Sequence, residues 1–170
     1  LAGDGALPLW NRLIEAGAKP AGLGARDVLR LEAGLPLYGH ELSDTISPIQ
    51  ARLDFAVKMD RGDFIGKKAL ASVIRNPPLR RLVGLRMVGR GIPRQGYPVL
   101  SGGREVGVVT RGTFSPTLGG PIALAFVEDS LLQGAEVQVR IRGADHIATI
   151  ARTPFYDQNS YGLRRKVAPP

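Results

Sequence analysis

The sequence of 170 residues contains no cysteine, is 44% hydrophobic and carries a formal net charge of +8. This hydrophobic fraction is enough to bury a core, which excludes a wholly disordered chain. The absence of cysteine excludes disulfides, thiolate catalysis and iron-sulfur ligation within these residues. His40 and His146 stand far apart and outside any metal-ligand spacing, so we expect no metal site.

The chain begins at Leu1 rather than methionine and runs directly into a Gly-Asp-Gly turn, so it reads as part of a longer protein. No apolar run approaches the length that spans a bilayer, and the first residues lack the basic start and apolar stretch of a signal peptide. We therefore expect a cytoplasmic protein, or a mitochondrial one if the source is eukaryotic, with no membrane partner.

The first predicted element is an amphipathic helix from Ala6 to Ala16. Its apolar residues recur at helical spacing, and Gly17 follows where a C-terminal glycine belongs. We expect this apolar stripe to face a core, with Trp10 as part of the packing.

A second helix is predicted from Ala25 to Ala33, with Gly34 suited to a left-handed cap. Arg26 and Arg30 are four residues apart and so share one face. Together with Glu32 they make this short helix unusually charged. That composition suggests that one of the ions serves a ligand.

The segment from Leu35 to Gln50 has the composition of a long loop, rich in polar residues, glycine and proline. A short strand is predicted from Leu53 to Val57. Asp63 is expected to cap a further helix that continues through Ile74 and ends before a pair of prolines.

The pattern changes from helical to β after Pro77 and Pro78. Six β-prone runs are separated by turns that contain glycine, proline and serine, which favours a small antiparallel barrel or sandwich. We therefore divide the chain into residues 1–77, which are α+β, and residues 78–170, which form a β domain and tail. The six runs are Leu82–Met87, Tyr97–Leu100, Val106–Thr110, Ile122–Val127, Val137–Ile141 and Ile147–Ala151.

Three segments together carry a family resemblance. They are GLGARDVLRLEAGLPLYGHEL from Gly22 to Leu42, DFIGKKAL from Asp63 to Leu70, and VGVVTRGTFSPTLGGPIALAFV from Val106 to Val127. The first closely resembles the signature of the aminomethyltransferase (T protein) family of glycine cleavage. The others resemble later parts of the same family, in the same order and over most of the chain.

The resemblance implies a three-domain cloverleaf whose amino-terminal part is missing. Residues 1–77 would then be an α+β remnant of the folate-binding domains, and residues 78–170 a small antiparallel β barrel with a tail. The family's folate-activating aspartate and pterin-binding glutamate are expected upstream of Leu1. No catalytic residue is therefore expected in this chain, which should be inactive alone.

The reaction implied by the resemblance uses tetrahydrofolate as a substrate and no metal. A lipoylated carrier protein of the glycine cleavage system delivers an aminomethyl group. The enzyme releases ammonia and leaves the one-carbon unit on tetrahydrofolate. The implied partners are thus this carrier and folate.

Arg26 belongs to the GARD motif and matches a family position that binds the folate ligand. An arginine near a helix start presents a planar fork of donors that suits a carboxylate or a pterin carbonyl. The alternative is structural, with Arg26 pairing with Glu32 or a backbone carbonyl to fasten the helix.

Two tyrosines complete the candidate folate-binding residues. Tyr161 lies in a tail that resembles the family's closing segment, where a tyrosine reaches the ligand. Tyr38, in the LYG motif, has a ring that could stack on a flat ligand, although packing of a loop is the more common use of such a residue.

Two other functions remain open from the sequence. Close relatives of the family include the folate-binding halves of sarcosine and dimethylglycine dehydrogenases. The seven arginines between Leu79 and Arg111, set against the single acid Glu105, also fit a basic nucleic-acid-binding β module or simply a solvated basic surface. The β runs contain only Tyr97 and Phe126 as aromatics for stacking on bases, so we expect no nucleic acid partner.

Overall fold

The computed structural model describes residues 3–131 and 133–161. Within them, α-helices come first and β-strands follow, as an α+β chain. The helices are α1 (Ala6–Glu15), α2 (Leu23–Glu32) and α3 (Lys67–Arg75). The strands are β1 (Arg80–Met87), β2 (Pro98–Ser101), β3 (Arg104–Ser115), β4 (Gly120–Glu128), β5 (Glu136–Ile141) and β6 (Ala144–Ala151).

The six strands form a closed antiparallel barrel in the order β1-β4-β3-β2-β5-β6. Strand β1 pairs with β4 on one side and with β6 on the other, which closes the sheet on itself. The predicted antiparallel barrel is confirmed, and all six predicted runs are strands. The largest difference is β3, which continues to Ser115 instead of ending at Thr110, because its hairpin with β4 extends to Gly120.

Small aliphatic side chains fill the inside of the barrel. In β5, Val137, Val139 and Ile141 are buried while Arg140 is exposed, which is the alternation expected of a strand with one face on a core. At Gly107 a Cβ atom would lie 2.2 Å from the backbone oxygen of Phe126, so only glycine fits at this position where β3 pairs with β4.

A second apolar cluster lies between the outer face of the barrel and helix α2. It covers β4 from outside, so residues 121–127 are all buried and read in the sequence as one continuous apolar run. After β6 the chain returns to α2, where the backbone N–H of Phe155 donates to the backbone oxygen of Glu32 at 2.8 Å. The cluster comprises Leu31, Leu82, Ile122, Leu124, Phe126 and Phe155.

Helix α1 differs from its predicted role. None of its residues is buried, and Trp10 is 52% exposed, so the expectation that its apolar stripe faces a core is wrong within these residues. An amphipathic pattern indicates that a helix has an apolar face but does not supply the surface that covers it.

Two local predictions in the middle of the chain are also wrong. The segment predicted as a strand at Leu53 to Val57 contains a 3-10 turn at Asp54–Ala56, where the N–H of Ala56 donates to the oxygen of Leu53 rather than to a partner strand. Helix α3 begins at Lys67 instead of after Asp63, because Gly66 has a φ of 89° and a helix cannot continue through that conformation.

Helix α3 ends at Arg75 and β1 begins at Arg80, so the predicted division after residue 77 falls between them and stays a prediction. Residues 162–170 of the predicted tail lie outside the described residues. None of the described helices combines the length and apolarity that crossing a membrane requires.

Candidate ligand-binding site on helix α2

Arg26 lies near the start of α2 with its side chain exposed. The helix begins after Gly22, which has an extended conformation and offers no side-chain cap. Among the residues that the structure describes, the ion pairs of this helix involve Asp27 and Arg30 instead of Arg26. The guanidinium of Arg26 is therefore presented to solvent on the first half of the helix.

Glu32 does not pair with Arg26. Its carboxylate is almost completely buried and accepts hydrogen bonds from the hydroxyls of Ser115 at 2.5 Å and Thr117 at 3.0 Å. The structural alternative in which Arg26 pairs with Glu32 is therefore wrong. Glu32 instead fastens the end of α2 to the turn between β3 and β4.

Arg30 is the buried arginine of α2, with only 8% of it exposed. Its Nη1 lies 2.8 Å from Glu41 Oε2, and its Nε lies 2.9 Å from Asp27 Oδ1. Glu41 is completely buried and accepts a further hydrogen bond from the hydroxyl of Thr110 at 2.5 Å. Arg26 and Arg30 thus have different roles, although their spacing places them on the same side of the helix.

A β-bulge in β3 supplies the barrel's side of this network. The register with β4 shifts between Val109 and Arg111, so Thr110 is the extra residue. As a result two consecutive residues reach the α2 region: Thr110 donates to Glu41, and the Nε of Arg111 donates to Asp27 Oδ2 at 2.8 Å.

Asp27 is the electrostatic centre where helix and barrel meet. Partial burial acts to raise the pKa of its carboxyl, but hydrogen bonds from Arg111 and Arg30, together with their charges, outweigh that effect and hold the pKa below its ordinary value. Asp27 is therefore ionised at neutral pH and binds one arginine through each oxygen.

The two candidate tyrosines lie on other segments. Tyr38 is 69% exposed, and its hydroxyl donates to Asp44 Oδ1 at 3.1 Å. Tyr161 is half exposed, and its ring packs edge-on against Tyr156 at 6.3 Å. No hydrogen bond or ion pair among residues 3–131 and 133–161 joins either tyrosine to Arg26, so the structure does not bring these three candidate residues into direct contact.

The basic stretch from Leu79 to Arg111 is partly neutralised. Four of its seven arginines form ion pairs, including Arg104 with Glu128 and Arg81 with both Asp54 and Asp129. Much of the formal positive charge is thus balanced locally. Within the described ranges, no group of three metal-ligating side chains comes together.

Two family models match this chain. One is described as "Glycine cleavage T-protein C-terminal barrel domain" and matches residues 80–157, and the other, "GCVT N-terminal domain", matches residues 1–61. The chain belongs to the glycine cleavage T-protein family. The T-protein barrel model begins at the first residue of β1, Arg80, and continues past Phe155.

Individual T-protein relatives agree with this assignment. An aminomethyltransferase from Herpetosiphon aurantiacus is 55% identical over 87% of this chain and 42% of its own length. Another from Symbiobacterium thermophilum is 55% identical over 87% of this chain and 41% of its own. The crystal structure of glycine cleavage system aminomethyltransferase T from Bartonella henselae superposes with a TM-score of 0.83 at 34% identity, over 90% of this chain and 44% of that one.

The chain thus spans less than half the length of the T-protein relatives it matches. The matches give no support to the dehydrogenase-linked or nucleic-acid-binding alternatives. They do not test the roles of Arg26, Tyr38 and Tyr161, which stay predictions.

Sequence reasoning missed the ionic network around Asp27, Arg30 and Glu41. A signal was present: Asp27 and Arg30 are three apart on one helix, the spacing of an ion pair. Their partners Thr110 and Arg111 are far away along the chain, where no local pattern indicates a contact.

Proposed function

We propose that this chain is the carboxy-terminal part of a tetrahydrofolate-dependent aminomethyltransferase. The enzyme would move a one-carbon unit from an aminomethyl-lipoyl carrier protein to tetrahydrofolate with release of ammonia, in the cytoplasm or, in a eukaryote, in the mitochondrion. The observation that carries the proposal is the 55% identity, over 87% of this chain, to proteins named aminomethyltransferase.

Arg26 supports a ligand-binding role for α2. Its guanidinium is exposed, whereas the neighbouring ions Asp27 and Arg30 are bound to each other and to the barrel. A planar fork of donors suits a folate carboxylate or the pterin carbonyl, and the positive end of the α2 dipole favours electron-rich groups at the same place.

Tyr38 and Tyr161 are proposed as further contacts. Each exposes at least half of its side chain, so each has ring surface available for a flat ligand. The groups that activate the folate nitrogen are proposed to lie in the part of the enzyme that precedes Leu1. The residues of this chain would then bind and orient the folate without reacting with it.

Replacing Arg26 with alanine in a full-length aminomethyltransferase that carries these residues tests the proposal. Loss of a charge-assisted hydrogen bond to the ligand costs about 1.5–3 kcal/mol, which raises the dissociation constant of tetrahydrofolate roughly ten- to a hundredfold. The melting temperature should hardly change, because the Arg26 side chain is exposed. A large loss of stability with unchanged folate affinity would refute the ligand role.

The 170-residue chain alone should lack aminomethyltransferase activity. Groups that orient and activate a reactant account for orders of magnitude in rate. Turnover measured with carrier, aminomethyl donor and tetrahydrofolate should be absent for this chain and present for the full-length enzyme. Comparable turnover by the chain alone would overturn the expected location of the catalytic groups.

A further inference from the structure

We propose that Asp27 and Arg111 are positioning residues for Arg26, so that the barrel controls the geometry of the folate contact on α2. The inference rests on the proposed folate role of Arg26. It assigns to the barrel a part in ligand binding through the ion pair between Arg111 of β3 and Asp27 of α2.

The first turn of α2 has little to hold it in place. Gly22 gives no side-chain cap, and residues 22–26 are all exposed. A helix of ten residues, with Gly24 in its first turn, is marginal without tertiary contacts. The buried residues of α2 begin only at Arg30, one turn after Arg26.

Asp27 is the anchor closest to Arg26. It follows Arg26 directly in the helix, and each of its oxygens is bound by a different arginine. Oδ1 meets Nε of Arg30 from the same helix, which stiffens the turn locally. Oδ2 meets Nε of Arg111 at 2.8 Å, and this bond ties the turn to the barrel.

The ion pair of Asp27 can affect Arg26 because the two side chains point in fixed directions relative to each other. Consecutive residues of an α-helix point about 100° apart, so a helix face fixed at Asp27 determines where Arg26 points. Asp27 is partly buried toward the barrel, whereas Arg26 is exposed. Without Arg111, the first turn would be free to tilt or fray, and Arg26 would sample directions that do not meet the ligand.

Arg111 can reach Asp27 because of the β-bulge at Thr110. The extra residue places Thr110 and Arg111 in sequence toward the α2 region, where an unbroken strand would turn one of them away. The bulge therefore supplies two contacts from one strand. One holds the buried Glu41, and the other holds the helix start.

The test uses a full-length aminomethyltransferase that contains these residues, with tetrahydrofolate as the probe. The variants are Arg111→Ala, Arg26→Ala and the double variant, and the readouts are folate dissociation constant, KM, kcat and melting temperature. Arg140→Ala is the matched control, because it removes an arginine–aspartate pair within the β5–β6 hairpin, away from α2.

We expect Arg111→Ala to raise the dissociation constant and KM for tetrahydrofolate about tenfold, as for loss of one charged hydrogen bond, with kcat changed less than about twofold. The double variant should bind no more weakly than Arg26→Ala, because Arg111 acts through Arg26. Arg111→Lys should restore part of the affinity, and Arg140→Ala should bind like the parent.

Three results would overturn the inference. The first is unchanged folate affinity in Arg111→Ala, whether or not its melting temperature falls, while Arg26→Ala binds weakly. The second is a double variant in which the two losses multiply. The third is unchanged folate affinity in Arg26→Ala, which would also refute the ligand role proposed for Arg26. The first two results refute only the positioning role, so a failure of the proposed function and a failure of this inference can be told apart.

Discussion

Replacing Glu41 with alanine should destabilise the fold more than any surface substitution. The carboxylate is completely buried and accepts hydrogen bonds from Arg30 Nη1 at 2.8 Å, the backbone N–H of Leu37 at 2.9 Å and the hydroxyl of Thr110 at 2.5 Å. Thr110 keeps a second acceptor, the backbone oxygen of Leu124. The main cost is therefore borne by the buried guanidinium of Arg30, which loses the carboxylate bound to its Nη1 and keeps that of Asp27, at its Nε.

Breaking a buried ion pair from one side costs about 3–5 kcal/mol. In a protein of this size each kcal/mol shifts the melting temperature by about 2–4 °C, so Glu41→Ala should lower it by roughly 6–20 °C. Calorimetry or circular dichroism on the purified variant measures the shift.

Glu105→Ala is the matched control, because its carboxylate is 57% exposed and lies 3.9 Å from Arg80 Nη2. That pair should contribute less than about 1 kcal/mol. Combining Glu41→Leu with Arg30→Met should recover much of the stability, since neither charge of this pair is then left buried without the other. A melting temperature for Glu41→Ala within about 2 °C of the control, less than 1 kcal/mol on the same scale, would refute the reasoning.

Three further outcomes follow from the contacts between helix and barrel. The pKa of Asp27 is lower in the folded protein than its ordinary value of about 4, so the ionised carboxylate stabilises the fold fully above that pH and loses this contribution as the pH falls through the folded pKa. The difference in free energy of unfolding between the parent and Asp27→Asn should therefore shrink from pH 5 toward pH 2 in urea titrations. Glu32→Ala leaves the buried hydroxyl of Ser115 without its acceptor and should cost about 1–3 kcal/mol by urea unfolding, and a cost under 0.5 kcal/mol would contradict this. Gly107→Ala forces a Cβ to 2.2 Å from a backbone oxygen and should lower the free energy of unfolding by about 1–3 kcal/mol. Gly120→Ala, with open space around it, should change that free energy by no more than about 0.5 kcal/mol. Equal effects of the two substitutions would argue against the close approach at Gly107.

The barrel could be predicted from the sequence because each strand carries its own signal. Val137, Val139 and Ile141 alternate with polar residues, and glycine-containing turns separate the strands. Periodicity does not specify strand ends, so the predicted end of β3 at Thr110 falls five residues before the observed end at Ser115. Nor does periodicity specify that the sheet closes between β1 and β6.

The helical part was predicted less well for a physical reason. The buried residues of α2 are Arg30, Leu31 and Glu32, two of which are ions that a hydrophobic pattern assigns to solvent. Burial of those ions depends on Glu41 and also on Thr110 and Ser115 of β3, which are distant in the sequence. The resemblance to the family predicted Arg26 as a ligand contact but could not indicate what holds its helix in place.

The contact between Asp27 and Arg111 spans 84 positions of the chain. At a synthesis rate of 5–20 residues per second, Asp27 waits about 4–17 s after its own translation before its partner exists. During that time Asp27 lacks Arg111, its partner from β3, and α2 lacks the barrel surface that covers Leu31. The contact that ties the helix start to the barrel can therefore form only after β3 has been synthesised, 84 positions later in the chain.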